Sequence, residues 1–282
     1  MLPALLFGLF GLIAGSFVNV LVIRHGVRSI GGRSGCMACG RQLEWSDMIP
    51  VVSWVALRGR CRSCKSRISV QYPLVEATTA VLFSIIGYWV SGSTFAVPWH
   101  GVLLIAVSLC ILALLVAIAA YDMMHTIIPD GWSYTFTALA FVFQLLAPFS
   151  GESGFAWLVL SGPVAASPLF ALWVVSRGTW MGLGDAKLAL GIGFLLGPLY
   201  GLFAVFFAFI IGAVVSVPLI LLSSAQWKTF VERFTPTPIS RRAVLGFTMK
   251  SEIPFGPFLI TACLLVWFAL LFNVPIPFFP MI

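Results

Sequence analysis

The sequence Met181-Gly182-Leu183-Gly184-Asp185-Ala186-Lys187 places an acidic side chain at the start of a long apolar run, which extends from Leu188 to Leu222. If that run crosses a membrane, Asp185 lies at or just inside the hydrocarbon boundary. Aspartate at the centre of a spanning helix costs about 2.5 to 3.5 kcal/mol on membrane-insertion scales, and less towards the helix ends. Asp185 is therefore a candidate functional residue, and such a carboxylate needs a partner.

A second acidic residue at the edge of an apolar run is the candidate partner. It lies in Tyr121-Asp122-Met123-Met124-His125-Thr126-Ile127-Ile128-Pro129-Asp130. Because Pro129 interrupts a helix, Asp130 is predicted to cap the helix that follows. Asp122 lies at the end of a helix, where the helix dipole disfavours an anion, and the sequence offers no structural explanation for it. We therefore predict a dyad of Asp122 and Asp185, without Asp130.

The composition is that of a polytopic membrane protein. Of the 282 residues, 60% are hydrophobic and 9% are charged, and the mean hydropathy is +1.06. These values lie outside the range of soluble domains. The net charge of +7 comes from basic residues that cluster between apolar runs, as in cytoplasmic loops. This clustering argues against nucleic-acid binding and favours contact with membrane lipid.

The apolar runs predict an all-α fold of about eight transmembrane helices with both termini outside. They comprise residues 2–23, 72–90, 101–121, 132–146 and 155–176, two spans within 186–222, and one from about 253 to 272. All 16 Lys and Arg fall on one set of connections, which the positive-inside rule places in the cytoplasm. The turn that contains Glu152 is predicted to lie outside. Asp122 and Asp185 then share the cytoplasmic face.

The chain divides into a first helix (1–23), a polar cytoplasmic loop (24–71) and a transmembrane core (72–282) with a second cytoplasmic loop at 223–252. The first loop contains two C-x-x-C pairs 21 residues apart, formed by Cys36, Cys39, Cys61 and Cys64. This spacing is close to that of zinc ribbons, in which four thiolates complete a closed structural site. A redox pair and unliganded thiols are the alternatives. Cys110 and Cys263 lie within apolar runs and are interpreted as packing residues.

Two further polar features have more than one interpretation. Glu76 follows Pro73 at the start of the second span, so it is either favoured by the helix N-terminus or in contact with a functional site. The segment Gly15-Ser16-Phe17-Val18-Asn19-Val20 carries small and polar residues inside the first span. It indicates either close helix packing or contact with a substrate.

Taken together, these residues resemble the bifunctional type IV prepilin peptidases, a family of G-x-G-D aspartyl proteases of the membrane. The resemblance covers nearly the whole chain. Besides the residues above, it rests on Ile49-Pro50-Val51-Val52-Ser53-Trp54, Arg58-Gly59-Arg60-Cys61, Tyr72-Pro73-Leu74-Val75-Glu76 and Pro254-Phe255-Gly256-Pro257-Phe258-Leu259. The family's catalytic aspartates correspond here to Asp122 and Asp185. Met37 departs from the family pattern, which often has proline at this position.

The resemblance implies both activities and their substrates. The peptidase would remove the short basic leader of a prepilin or pseudopilin on the cytoplasmic side of the bacterial inner membrane, after a glycine. The methyltransferase would then methylate the new N-terminus from S-adenosylmethionine, in a pocket built from the first loop and the adjoining helix ends. Glu76 is a candidate contributor to that pocket. The system served would be a type IV pilus, a type II secretion system or a related assembly.

The chemistry of two neighbouring carboxylates is consistent with this function. One stays protonated and polarises the scissile carbonyl while the other activates water. Gly182 and Gly184 are expected to let the substrate backbone approach. Two other classes of function remain open from the residues alone. A proton-coupled transporter also carries intramembrane aspartates. An assembly factor would use the cysteine loop for docking and would tolerate loss of both aspartates.

Overall fold

The computed structural model describes residues 1–27, 29, 31–92, 99–146, 154–223 and 254–275. Across these ranges the chain forms helices and no strands, which confirms the predicted all-α class. The helices are α1 (Leu2–Arg24), α2 (Val52–Ala56), α3 (Gln71–Gly92), α4 (Trp99–His125), α5 (Asp130–Leu146), α6 (Phe155–Ser176), α7 (Leu183–Leu196), α8 (Pro198–Ser223) and α9 (Gly256–Leu271). A single 3-10 turn, Trp45–Asp47, lies in the first loop.

Every predicted span coincides with a helix, but the helices differ in length. Five of them, α1, α3, α4, α6 and α8, are long and apolar enough to cross a membrane. The other three, α5, α7 and α9, have 17, 14 and 16 residues. The chain is thus a multi-pass membrane protein, whereas the count of eight spans stays a prediction. The Glu152 turn and residues 224–252 lie outside the described residues.

Helices α1 and α3 pack against each other through small residues. Gly8, Gly11 and Gly15 lie along one side of α1, and a Cβ at Gly11 would come within 2.7 Å of Ala80 Cα. Close backbone contact of this kind is common between membrane helices, because lipid provides no hydrophobic force to hold them together. The buried Asn19 adds a hydrogen bond from Nδ2 to the Tyr72 carbonyl, at 3.0 Å. The packing interpretation of the Gly15–Val20 segment is therefore confirmed.

Helix α7 is the central element of the second half of the chain. It packs against α5, α6, α8 and α9, and most of its apolar residues are buried. Gly193 of α7 lies against the backbone of Ser161 and Gly162 of α6, leaving no room for a side chain. The turn into α8 has Gly197 at a φ of +86°, as the predicted break at this position requires. Protein rather than lipid thus surrounds the helix that begins with the G-x-G-D sequence.

Candidate active site

Asp122 lies in the last turn of α4 and is 4% exposed. Its Oδ2 accepts a hydrogen bond from the backbone N–H of Gly256 at 3.1 Å. Gly256 is the first residue of α9, so the carboxylate lies at a helix N-terminus, where free N–H groups and the helix dipole favour an anion. The expectation that Asp122 has no structural partner is therefore wrong, since its partner comes from a different helix.

Gly256 is a site residue to which the sequence analysis assigned no role. A Cβ at this position would lie 2.5 Å from Asp122 Oδ2 and 3.3 Å from Ile128 Cδ1. Real Cβ atoms essentially never come that close to a carboxylate oxygen. The sequence signal is the glycine between Phe255 and Pro257, immediately before an apolar run. That signal marks a helix start, but it does not reveal which side chain the start contacts.

Asp185 lies in the first turn of α7 and is half-buried. Its carboxylate is close enough to that of Asp122 for the two charges to interact. Ile128 lies between the two helix starts, because a Cβ at Gly184 would be 3.1 Å from Ile128 Cβ. Gly184 therefore accommodates Ile128. Gly182 is exposed at the helix start, and its expected contact with substrate stays a prediction.

Asp130 is the first residue of α5, one position later than a capping residue. The Pro129 carbonyl accepts the N–H groups of Trp132 and Ser133, so Pro129 occupies the cap position. The largely exposed Asp130 carboxylate accepts a hydrogen bond from Lys187 Nζ at 2.7 Å. The predicted cap is thus corrected to an ion pair that joins the start of α5 to the start of α7.

Glu76 anchors the first loop to the membrane helices. Its carboxylate is buried and accepts a hydrogen bond from the Val51 N–H at 2.7 Å, and α1 packs closely against Glu76 at Gly15. Val51 has a φ of +61°, which is uncommon for a β-branched residue and is held here by this contact. Because the carboxylate is occupied, the geometry supports a positioning role for Glu76 rather than direct contact with a methyl donor.

The four loop cysteines form two knuckles of the same local geometry. In each, the N–H of the fifth residue (Gly40 or Lys65) donates to the carbonyl of the first cysteine, at 2.9 and 3.1 Å. Both fifth residues have positive φ, of 71° and 59°. This turn directs both cysteines of a C-x-x-C pair towards the same point. The two pairs also lie next to each other, so all four cysteines are clustered.

The sulfur atoms fit a single zinc ion. All four lie within 4.8 Å of one another, and the Sγ atoms of Cys36 and Cys64 are 3.8 Å apart. Four sulfurs at about 2.3 Å from a tetrahedral ion are about 3.8 Å from each other.

The hydrogen bonds around two of these cysteines lower their pKa values. Backbone N–H groups of Cys39 and Ala38 lower the pKa of Cys36 to about 6, and hydrogen bonding from Ser66 lowers that of Cys64. Both effects favour the thiolate, which is the form that binds metal. The pKa of Cys39 is instead raised to about 11, because a backbone hydrogen bond from Arg41 that lowers it is outweighed by the neighbouring Cys36 and Cys64. Of the other two cysteines, Cys263 is buried as expected, whereas Cys110 is exposed.

The cysteine loop and the two aspartates lie at the same end of the helix bundle. Gln71 at the start of α3 donates from Nε2 to Met124 Sδ, at 3.0 Å, two residues after Asp122. His25, just past the end of α1, packs against the rings of Tyr121 and Trp132. The loop therefore begins and ends close to the dyad.

A cleft in the loop is unsuited to S-adenosylmethionine. It has a volume of about 400 Å³ and is lined by Leu57, Arg58, Arg60, Cys61 and Lys65. S-adenosylmethionine carries a sulfonium, an ammonium and one carboxylate, so its net charge is positive, and the three cations around the cleft would repel it. The lining of this cleft therefore does not fit the methyl donor.

Two family models match the chain. Residues 9–90 match the bacterial peptidase A24 N-terminal domain, and residues 109–217 match the type IV leader peptidase family. The first match includes most of α1, the cysteine loop and nearly all of α3. The second includes Asp122, Asp130 and Asp185. No solved structure matches the chain.

Several curated proteins are similar over most of their length. A prepilin leader peptidase/N-methyltransferase of Myxococcus xanthus is 32% identical over 267 residues, which cover 91% of this chain and 76% of that protein. A Bacillus subtilis protein of the same name is 32% identical, covering 73% of this chain and 78% of its own. A third from Klebsiella pneumoniae is 30% identical, with coverage of 67% and 83%. With these matches, the chain belongs to the type IV leader peptidase family.

Proposed function

We propose that this chain is a membrane aspartyl endopeptidase that removes the leader of type IV prepilins or pseudopilins and then N-methylates the new N-terminus. The observation that carries this proposal is that Asp122 and Asp185 lie beside two helix starts, at Gly256 and Gly184, that both contact Ile128. The chain that contains them has relatives named prepilin leader peptidase/N-methyltransferase. The relatives' names give no support to a transporter. The substrate's basic leader, cleavage after a glycine and the inner-membrane location are part of the proposal.

We infer different roles for the two carboxylates. Two carboxylates at close range do not both ionise readily. The Gly256 N–H and the start of α9 favour the charge on Asp122, and so Asp185 carries the proton. Asp122 then removes a proton from water as the water oxygen bonds to the scissile carbonyl carbon. Asp185 gives its proton to the carbonyl oxygen.

Collapse of this tetrahedral intermediate completes the cleavage. The hydroxyl proton returns to Asp185 as the carbonyl re-forms and the C–N bond breaks. Asp122 gives its proton to the leaving amine, so both carboxylates recover their starting states. The exposed Gly182, beside the Asp185 carboxylate, leaves space for the substrate backbone to reach the dyad.

The cysteine loop has a supporting role in this proposal. Cys36, Cys39, Cys61 and Cys64 would hold a zinc ion, which would cross-link the two knuckles as a closed structural site. Glu76 of α3 then attaches the cross-linked loop to the membrane helices through Val51. S-adenosylmethionine would bind near this loop and the adjoining helix ends, on the cytoplasmic side with the dyad.

One assay tests both activities. The purified protein is incubated in detergent with a prepilin peptide and S-adenosylmethionine, and the masses of the products are measured by mass spectrometry. We expect loss of the leader and addition of one CH₂ to the mature fragment. A pre-cut peptide should gain CH₂ without cleavage. An intact peptide after prolonged incubation, with protein that still holds its zinc, would contradict the peptidase assignment.

A further inference from the structure

The first loop exposes a group of large apolar side chains close together in sequence. Trp45, Met48, Val52 and Val55 are between 47% and 77% exposed. Val52 and Val55 are one helical turn apart in α2 and therefore share a face. The other face of α2 is used within the loop, since Trp54 Nε1 donates to the Ile68 carbonyl at 3.3 Å and its ring covers Gly59.

The contact between Glu76 and Val51 determines the depth of this group. Glu76 lies five residues after the start of α3, which is about 7.5 Å along the helix. Val51, the residue before α2, is hydrogen-bonded at that level. Helix α2 therefore lies beside the first turns of a spanning helix, at the depth of the membrane interface. Apolar side chains exposed at this depth are available for contact with lipid.

The charge next to the apolar group is positive. The cleft that follows α2 is lined by Arg58, Arg60 and Lys65, together with Leu57 and Cys61. The two acidic residues nearby are already paired, Glu44 with Arg41 and Asp47 with Arg62. Within the described ranges, the three cations of the cleft have no acidic partner. The cleft is thus suited to an anion.

We propose that this part of the loop is a docking site for anionic phospholipid in the cytoplasmic leaflet. Trp45, Met48, Val52 and Val55 enter the boundary between headgroups and acyl chains, where tryptophan is favoured. The lipid phosphate binds in the cleft between Arg58, Arg60 and Lys65. Apolar insertion beside a basic cleft matches the two parts of such a lipid, its acyl chains and its charged headgroup. Binding would hold the loop against the membrane.

Insertion is tested with the full-length protein in nanodiscs. The contribution of Trp45 to fluorescence is the difference between wild type and Trp45→Phe. In nanodiscs of phosphatidylcholine and phosphatidylglycerol with brominated acyl chains, we expect most of this contribution to be quenched. Unquenched Trp45 fluorescence in these discs would overturn the proposal. Quenching that is equally strong without phosphatidylglycerol would refute the requirement for an anionic headgroup.

Headgroup binding is tested by native mass spectrometry of protein released from the same nanodiscs. Replacing Arg58 or Arg60 with Gln should weaken retention of phosphatidylglycerol about fivefold for each charge removed. Arg33→Gln is the matched control, because Arg33 is exposed in the same loop but lies outside the cleft. Equal lipid retention by all three variants would contradict the site. Displacement of the lipid by glycerol 3-phosphate would identify a site for free anions instead.

Two further measurements control for misfolding of the variants and identify the molecule that contacts the apolar group. Each variant should retain the zinc content of the wild type, because no substituted residue is a cysteine. Photo-cross-linking from position 55 should yield lipid adducts. Adducts with a second copy of the chain or with prepilin, in place of lipid, would show that the apolar group binds protein and would overturn the proposal.

Discussion

Asp122 and its partner amide illustrate the site at the scale of single residues. The carboxylate and the Gly256 N–H are 134 residues apart in the chain but 3.1 Å apart in space. The same contact that makes Asp122 tolerable in a buried position also favours its ionised form. The hydrogen bond from Gly256 therefore both stabilises Asp122 in its buried position and supports its proposed role as the ionised carboxylate.

Replacing either aspartate of the dyad with Asn should abolish leader cleavage. Asn has the same shape but cannot shuttle a proton, so each single change removes the chemistry and the double change should be no worse. Cleavage is measured at saturating prepilin. Each variant should still methylate a pre-cut substrate, which separates lost chemistry from lost folding. Normal cleavage by Asp185→Asn would rule out the aspartyl mechanism.

Asp130→Asn is the matched control for those variants. It removes the ion pair with Lys187, but that carboxylate is largely exposed, and exposed pairs contribute about 0 to 1 kcal/mol. Cleavage should therefore persist. Loss of cleavage comparable to that of Asp122→Asn would show that Asp130 takes part in the reaction.

Gly256→Ala should reduce cleavage about 100-fold, because small displacements of a catalytic group have effects of this size. The added methyl would overlap Asp122 Oδ2, so the carboxylate must move away from its amide partner. Gly131→Ala is the control, since a Cβ at that helical position meets nothing within 4 Å. Comparing kcat of the two variants checks the prediction. A fully active Gly256→Ala enzyme would exclude the proposed role of this contact.

At the scale of elements, the two knuckles depend on each other. Each pair of cysteines supplies half of a tetrahedral site, and among the described residues of the loop no regular element is longer than five residues. Metal binding would therefore contribute much of the loop's folding free energy.

Zinc removal should unfold the loop while leaving the aspartates in place. We expect one zinc per chain in reduced protein, rapid proteolysis of residues 31–67 after chelation, and a larger loss of methyl transfer than of cleavage. Zinc is measured by elemental analysis and loop unfolding by limited proteolysis. Cleavage and methyl transfer are measured by mass spectrometry of the prepilin products. Cys110→Ser should keep full zinc content, because Cys110 lies on α4 away from the knuckles. Zinc-free protein with a protease-resistant loop would contradict this prediction.

Glu76→Ala should release the loop from the helices. It leaves the Val51 N–H without its buried acceptor, which costs about 1 to 3 kcal/mol. Glu76→Gln keeps an acceptor oxygen and should behave much like wild type. Hydrogen exchange at Val51 distinguishes the two variants. Equal protection of Val51 in both would show that Glu76 does not hold the loop.

In the whole molecule, the candidate site and the cysteine loop lie at the same end of the helix bundle. The ends of α1 and α4 and the starts of α3, α5, α7 and α9 meet around the dyad and the cysteine loop. The basic residues in the connections between these helices support placing this side in the cytoplasm.

Reporter fusions or cysteine labelling should place residues 31–67 and 223–252 inside and the Glu152 turn outside. This result would follow from the segregation of Lys and Arg, which disfavours the reverse orientation. A cytoplasmic Glu152 turn would overturn the scheme of eight spans.

Local patterns were sufficient to predict much of this protein. The apolar runs predicted each long helix, because the backbone of a membrane segment must satisfy its own hydrogen bonds. The C-x-x-C pairs predicted the cysteine cluster, since each knuckle is a turn of a few residues. Asp122 and Asp185 were found because a carboxylate beside an apolar run is rare. All of these signals depend on residues close together in sequence.

The partners of the polar side chains could not be predicted from the sequence and became evident from the packing of the helices. The sequence did not indicate that Gly256 binds Asp122, that Lys187 binds Asp130, or that Glu76 holds Val51 at a positive φ. Nor did it show that Gly184 accommodates Ile128. The physical reason is that hydropathy and spacing determine where helices form, whereas the partners of a polar group depend on how those helices pack. In this protein such partners lie between 25 and 134 residues apart in the chain.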